Sequence, residues 1–369
     1  MTNKMPAWDL SDYYTGIDDP KIAADLEAYR QNTEKFATRY KGKLAELSAE
    51  EFLAAAKDIE RRSKIASRLG GFAYLNMVTQ MKNVEAVAFY QDIQEKLTDY
   101  CKPAIFFSLE FNALPDAKIN EWLQNKDVAF YKYWIKRMRK FKDYELSEPV
   151  EEILIEKSLT SSEAWVRLYE ETSSRLVYTV DGKEYNDAEL SKLMLDKDPK
   201  TREKAGKELN RVLKENGHLM TFIYNMVMKD KAIEDEKRGF KTPVSSRNLS
   251  EDVSDETVEV LAQTVKKHYK DISERFYKLK AKWLGMEKIA YWDRNAPLPF
   301  AADTTYSWDE AVQIVLNAYK EFSPKLYNIA KDFFDHNWID VPPRDGKRSG
   351  AFCSGPISDE HPYLTLNFV

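Results

Sequence analysis

Residues 198–228, DPKTREKAGKELNRVLKENGHLMTFIYNMVM, decide the fold class. Asp198 is a helix-capping residue type, and Pro199 suits the first helical position because the N–H it lacks would be unpaired there anyway. Behind them Ala205, Leu209, Val212, Met220, Ile223 and Val227 line one face at helical spacing, which predicts a long amphipathic helix. The same grammar recurs outward in both directions. Ser48 with Glu51 reads as a capping box before Phe52, Ala56 and Ile59, and Thr160 with Glu163 repeats it before Trp165 and Leu168. Ser254 opens a stripe of Val258, Leu261, Val265, Ile272, Phe276 and Leu279; Ser307 with Glu310 opens another helix, and Ser323 with Pro324 restarts it.

Strand signals are few. Arg175–Val180, Asp181-Gly182 and Lys183–Tyr185 predict a β-hairpin, because Asp-Gly supplies the positive φ angles of a tight type I′ turn. After Pro342-Pro343 come Gly346, Gly350 and Gly355, then the alternating segment Tyr363–Val369, which predicts a final strand. The expected fold is therefore mainly α: a two-lobed, multi-helix chain with a hairpin at about 175–185 and a short sheet near the C-terminus. The lobes are expected to divide after the hairpin, as 1–190 and 191–369.

The composition of the 369 residues excludes several classes. With 43% hydrophobic and 32% charged residues the chain is neither disordered nor fibrous, and 12 glycines leave few left-handed turns. A net charge of −5 disfavours nucleic acid as a partner. Cys101 and Cys353 cannot form a disulfide framework, the opening MTNKMPAWDLSDYY has no signal-peptide core, and the apolar run from Ala104 stops at Glu110. A cytoplasmic protein without membrane contact is expected.

Motifs that carry chemistry are sparse. The four histidines, His218, His268, His336 and His361, include no pair at i, i+4, and neither H-E-x-x-H nor H-x-x-E-H occurs. His268 lies on an apolar stripe and reads as a hydrogen-bonded core or boundary residue, His218 as an exposed one. Cys353 and His361 invite a nucleophile–base pairing, but GAFCSG matches no nucleophile signature, and free cysteines more often behave as small hydrophobes. Gly346-Lys347-Arg348 is no phosphate loop, since Val341 stands where the first glycine belongs. The basic run Lys132–Lys142 reads as a solvated helix face over an RNA-binding surface, whose affinity would fall steeply with salt. The loop 347–356 permits close backbone approach, and the strand beside it could hold an extended peptide; an ordinary surface loop is the competing reading.

Four stretches taken together resemble one family. WDLSDYYTGIDDPKI at 8–22, LSEPVEEILIEKSLTSSEAWVRLYEE at 146–171, YWDRNAPLPF at 291–300 and KRSGAFCSGPISDEHPYLTLNF at 347–368 are similar, in this order, to oligoendopeptidase F, a bacterial relative of the thimet oligopeptidases. The resemblance implies a mostly helical zinc metallopeptidase that cuts oligopeptides in a channel between two lobes, with a small sheet beside the metal. In that family the zinc helix follows the strand that here reads HPYLTLNF, so the given residues are expected to stop short of it. No catalytic or metal-binding residue carries over. Phe352, Cys353, Ser354, Gly355, His361 and Tyr363 match the family's glycine loop and sheet, which implies contact with the substrate backbone. Zn2+ is expected in the complete family protein but not bound tightly to these residues, which are expected to be inactive alone. A non-catalytic helical peptide-binding protein is the alternative.

Overall fold

Capping residues set the frame. In the computed structural model, which describes residues 5–300, 304–355, 357 and 359–368, Ser48 accepts a hydrogen bond from Glu51 N while the Glu51 carboxylate accepts one from Ser48 N, and helix Ala49–Val78 follows. Ser307 and Glu310 do the same for helix Trp308–Phe322. Asp198 accepts from Lys200 N at the start of helix Pro199–Glu215, and Ser254 accepts from Thr257 N before Asp255–His268. Thr160 is not a cap: helix Ser162–Ser174 starts from Ser161 with no side-chain cap, and Glu163 instead accepts from the Ser158 hydroxyl.

The helix predicted through Val227 is two helices. Pro199–Glu215 ends at Asn216, whose side-chain amide and backbone N–H both donate to the Val212 carbonyl, and Gly217–Arg238 begins afresh. Asn competes for backbone groups and Gly lowers helix propensity, so the pair breaks the run although the stripe continues across it. The stripe from Val258 is likewise interrupted by a π-helical turn, Tyr269–Glu274, before helix Arg275–Trp283. Leu261, Ile272 and Phe276 on it are exposed, and so is His268, contrary to the core or boundary place its neighbours suggested. A stripe reports which face is apolar, not whether anything covers it.

Three of the four apolar clusters among the described residues hold most of the buried side chains. Phe36, Tyr40, Phe52, Phe111 and Trp122 fill the first, where the Trp122 indole N–H donates to the Leu47 carbonyl; each such fully buried side chain contributes about 1.5–3 kcal/mol. The second joins both ends of the chain, packing Tyr13, Tyr14, Leu69 and Phe72 against Ile357 and Tyr363. The third seats the hairpin on the following helices, with Tyr178 and Val180 against Leu190, Ala205 and Val212.

The hairpin pairs β1 (Tyr178–Val180) with β2 (Lys183–Tyr185) across Asp181 (φ 51°) and Gly182 (φ 80°), the turn expected. β1 is shorter than predicted because Arg175 N and Leu176 N still donate back to the Thr172 and Ser173 carbonyls of the preceding helix. Near the C-terminus β3 (Ile339–Asp340), β4 (Phe352–Ser354) and β5 (Tyr363–Thr365) form a sheet in the order β3-β5-β4, parallel for β3 with β5 and antiparallel for β4 with β5. β5 is shorter than the predicted strand 363–369, and Val369 lies outside the described residues. The basic run is mostly a solvated face, with Lys132, Lys136, Arg137, Lys140 and Lys142 exposed, but three of its cations are also engaged within the molecule: Arg139 donates to the carbonyls of Phe111, Asn112 and Leu114, Arg137 donates to that of Ser250, and Lys140 pairs with Asp252. Among the described residues no helix is long and apolar enough to cross a membrane.

Candidate functional site

The loop after β3 is fixed from beneath by charge. The fully buried carboxylate of Asp340 lies 2.6 Å from the Lys347 ammonium and accepts two hydrogen bonds, of 2.8 and 2.9 Å, from Arg344. Lys347 also donates to the carbonyls of Leu366, Pro342 and Asp340 at 2.7, 3.1 and 3.2 Å. Burial pushes the lysine pKa down, and Asp340 opposes that shift by favouring the charged form. A buried cation is tolerable only because four acceptors surround it.

The top of the loop is fastened to the end of helix Ala49–Val78. Met81 N donates to the Gly346 carbonyl, Arg348 N donates to that of Val78, and Lys82 pairs with Asp345 at 2.5 Å. Gly346 has φ +74°, and a Cβ there would stand 3.2 Å from Lys82 N, so both conformation and space require glycine. The Arg348 side chain then reaches across: it donates to the Tyr74 hydroxyl, pairs with Glu170 at 3.0 Å and lies over the Phe352 ring at 5.6 Å. Burial raises the Glu170 pKa, and Arg348 pulls it back.

These contacts wall a cavity of about 550 Å3. One side is loop 343–349; the other is the end of helix Ser162–Ser174 with Tyr169 and Glu170, the hairpin's Tyr178, and Asn186 and Asp187. Beside it stands the small sheet, in which β5 is central and its backbone is engaged by both neighbours. The far side of β3 is approached by the N-terminal segment, where Val341 N donates to the Pro6 carbonyl and Asp9 N to that of Asn337. Among the described residues no strand pairs with the outer edge of β4.

The six sequence-derived candidates are not brought together as one set. Phe352 is half-buried beneath Arg348 and Tyr74, Cys353 is exposed on β4, and Ser354 is half-buried beside it. Gly355 is exposed, with Pro362 Cβ 3.2 Å from where a Cβ would sit. His361 stacks on Trp338 at 3.6 Å, with its Nε2 2.9 Å from an Asp12 carboxylate oxygen. Tyr363 is completely buried, packed edge-on to Trp8 and Tyr13. The first four line a strand and its exit, while the last two hold the N-terminal segment. Glu170 and Tyr74 escaped the sequence reading because each acts through Arg348, remote in the chain, and Asp340 because its partners Arg344 and Lys347, though near in sequence, give no local sign that the carboxylate is buried. Lys347 and Arg348 were visible as the start of the glycine-rich loop and as a rejected phosphate motif, without the partners that the fold gives them.

A zinc ion does not fit the described residues. No three His, Cys, Asp or Glu side chains converge among them, His218 and His268 are exposed on separate helices, and His336 and His361 lie on Trp338 at 4.9 and 3.6 Å. With no converging donor set, no metal-assisted step is derived for these side chains.

The model of the family described as Oligopeptidase F matches residues 110–178, and that of Peptidase family M3 matches 192–369. Oligopeptidase PepF of Bacillus subtilis (strain 168) is 22% identical over 347 residues, covering 90% of this chain and 50% of that protein. Group B oligopeptidase PepB of Streptococcus agalactiae serotype III (strain NEM316) is 24% identical, covering 78% of this chain and 50% of its own length. The crystal structure of oligoendopeptidase-F from Enterococcus faecium is similar with a TM-score of 0.69 at 16% identity, over 85% of this chain and 66% of that one. The chain thus spans about half the length of these two curated relatives. The shared fold and the two family models, which together match about two thirds of its residues, place this chain among the oligoendopeptidase F-like peptidases of family M3.

Proposed function

We propose that this chain forms the peptide-holding part of a zinc-dependent oligopeptidase that cleaves short peptides in an internal channel. The observation that carries the reading is the open outer edge of β4 beside a cavity walled by both halves of the chain. An edge strand binds an extended peptide through main-chain hydrogen bonds, which read no particular side chain. In this reading Phe352, Cys353, Ser354 and Gly355 offer that edge, and Arg348 with Glu170 sets the charge of the wall. His361 and Tyr363 act indirectly by holding β5 in place. The division into lobes 1–190 and 191–369 is part of the same proposal, and the gap between the two family matches, at 179–191, supports it.

Residues 1–369 by themselves bind peptide without hydrolysing it, because the described side chains offer no converging metal ligands. A cytoplasmic location accords with the two free cysteines. The test is alkylation of exposed Cys353 with and without an extended oligopeptide, alongside turnover of an internally quenched peptide and zinc content. Slower Cys353 modification, no turnover and substoichiometric zinc are expected. An unchanged Cys353 rate at saturating peptide defeats the edge-strand reading, and one tightly held zinc per chain with turnover defeats the predicted inactivity. The same lack of metal ligands favours a second reading, a non-catalytic peptide-binding protein. Reading the gene past the codon for Val369 separates the two: an in-frame H-E-x-x-H supports the peptidase, an immediate stop codon the binding protein.

A further inference from the structure

Helix Pro20–Tyr40 packs along helix Ala49–Val78, and the two enclose a cavity of about 190 Å3 that shares no lining residue with the one beside the glycine loop. Asn32, Lys35, Phe36 and Arg39 reach it from the first helix, and Asp58, Arg61 and Arg62 from the second, each set spaced by three and four residues so that it shares one face. Four of these side chains are cations and one is a carboxylate. That carboxylate is already shared: Asp58 Oδ2 accepts a 3.0 Å hydrogen bond from the Tyr40 hydroxyl and lies 3.7 Å from Arg39, while Oδ1 lies 3.2 Å from Arg61.

The other two cations have no counter-charge. Lys35 makes no ion pair or side-chain hydrogen bond among the described residues. Arg62 also borders a larger cavity containing Glu145 and Glu151, yet it pairs with no described carboxylate on either side, and its Nε and Nη1 are enclosed without an acceptor. Burial lowers its pKa, as for a guanidinium short of negative charge. Two of the arginines are set on aromatic rings, Arg62 4.5 Å over Phe36 and Arg39 5.0 Å over Tyr40, an arrangement that orients a guanidinium and leaves its edge to donate.

Like charges gathered around so small a space repel one another unless an anion enters. Water occupies about 30 Å3 per molecule in the liquid, so the cavity has room for a polyatomic anion. A carboxylate brings two oxygens and a single charge, whereas a phosphoryl group brings three acceptor oxygens and up to two charges, and arginine forks match its geometry. We infer that this cavity binds the phosphoryl group of a small phosphate anion, held by Lys35, Arg39, Arg61 and Arg62 with the Asn32 amide as a further donor. Bound there, the anion ties the first helix to the second and stabilises the N-terminal bundle.

The 369-residue chain is titrated with inorganic phosphate, sn-glycerol 3-phosphate or acetate by calorimetry at fixed ionic strength, and its unfolding midpoint is followed with and without phosphate. One saturable site is expected, with phosphate about tenfold tighter than acetate and a midpoint that rises with phosphate concentration. Tighter binding of glycerol 3-phosphate supports a phosphate ester as the ligand, and binding of inorganic phosphate alone supports the free ion. Arg62→Gln and Lys35→Gln are each expected to weaken phosphate about tenfold, and Lys35 is exposed, so its replacement leaves the bundle folded. Lys21→Gln, on the same helix but outside the cavity, is expected to bind as the parent does. Absence of saturation, equal affinity for acetate, parent-like binding by both cavity variants, or an equal loss in Lys21→Gln overturns the inference.

Discussion

Lys347 and Asp340 show how much of the site depends on single buried charges. Removing one member of a buried pair costs about 3–5 kcal/mol, so Lys347→Met, which leaves Asp340 with Arg344 as its one remaining cation, is expected to lower the unfolding free energy obtained from urea denaturation by about 3 kcal/mol. A change within the scatter of surface substitutions would mean that the loop is not held by this pair. Glu170 offers a pH test of the contact across the cavity. Burial raises its folded-state pKa above the ordinary 4.5, so just above that pH the folded chain binds more protons than the unfolded one, and stability falls as pH rises through the window. Glu170→Gln removes this dependence, so the stability of the variant relative to the parent is expected to increase as pH is raised from 4.5 through the folded-state pKa. A difference that stays flat with pH contradicts the assignment. Lys347 and Arg348 stand inside a stretch that the sequence marked, but Arg348 meets Tyr74 across 274 positions of chain, a separation that no local pattern encodes.

Elements were legible where a signal is local and ambiguous where burial decides. The Ser48 capping box is self-contained, and Ser48→Ala is expected to cost about 1 kcal/mol, measured by thermal or urea unfolding. Gly206 is the opposite case: nothing in KAGKE announces it, yet a Cβ there would stand 2.7 Å from Trp292 Cβ, and the Tyr291 hydroxyl donates to its carbonyl. Here helix Pro199–Glu215 touches the turn Tyr291–Asp293, joined also by the buried Arg202–Asp293 pair at 2.9 Å. Gly206→Ala adds a methyl where backbone-proximal atoms must yield, so it is expected to destabilise by about 1–3 kcal/mol despite alanine's better helix propensity. A stabilised variant would show that the contact relaxes freely.

At the scale of the whole molecule, the N-terminal helices and the C-terminal sheet share one core through Tyr13, Phe72, Ile357 and Tyr363, while the region from Asp255 to Phe322 leaves apolar side chains uncovered. Val260, Leu261, Ile272, Ile314 and Phe322 are each more than half exposed. Contiguous exposed apolar surface drives association, so purified residues 1–369 are expected to bind an apolar dye strongly and to show a concentration-dependent mass in light scattering. Leu261→Lys and Ile272→Lys together should weaken both without lowering the unfolding midpoint, since neither side chain is packed in a core. A monomer without dye binding at high concentration would contradict this.

Sequence alone determined the helical class, several helix starts, the hairpin turn and the family, because capping, periodicity, Asp-Gly geometry and ordered motifs are each written within a few neighbouring residues. Tertiary structure decided the rest. It made β5 central and left the edge to β4, buried Tyr363 and turned His361 toward Asp12. The physical reason is that exposure, pairing and desolvation belong to a residue's surroundings, and those surroundings are assembled from parts of the chain far apart in sequence.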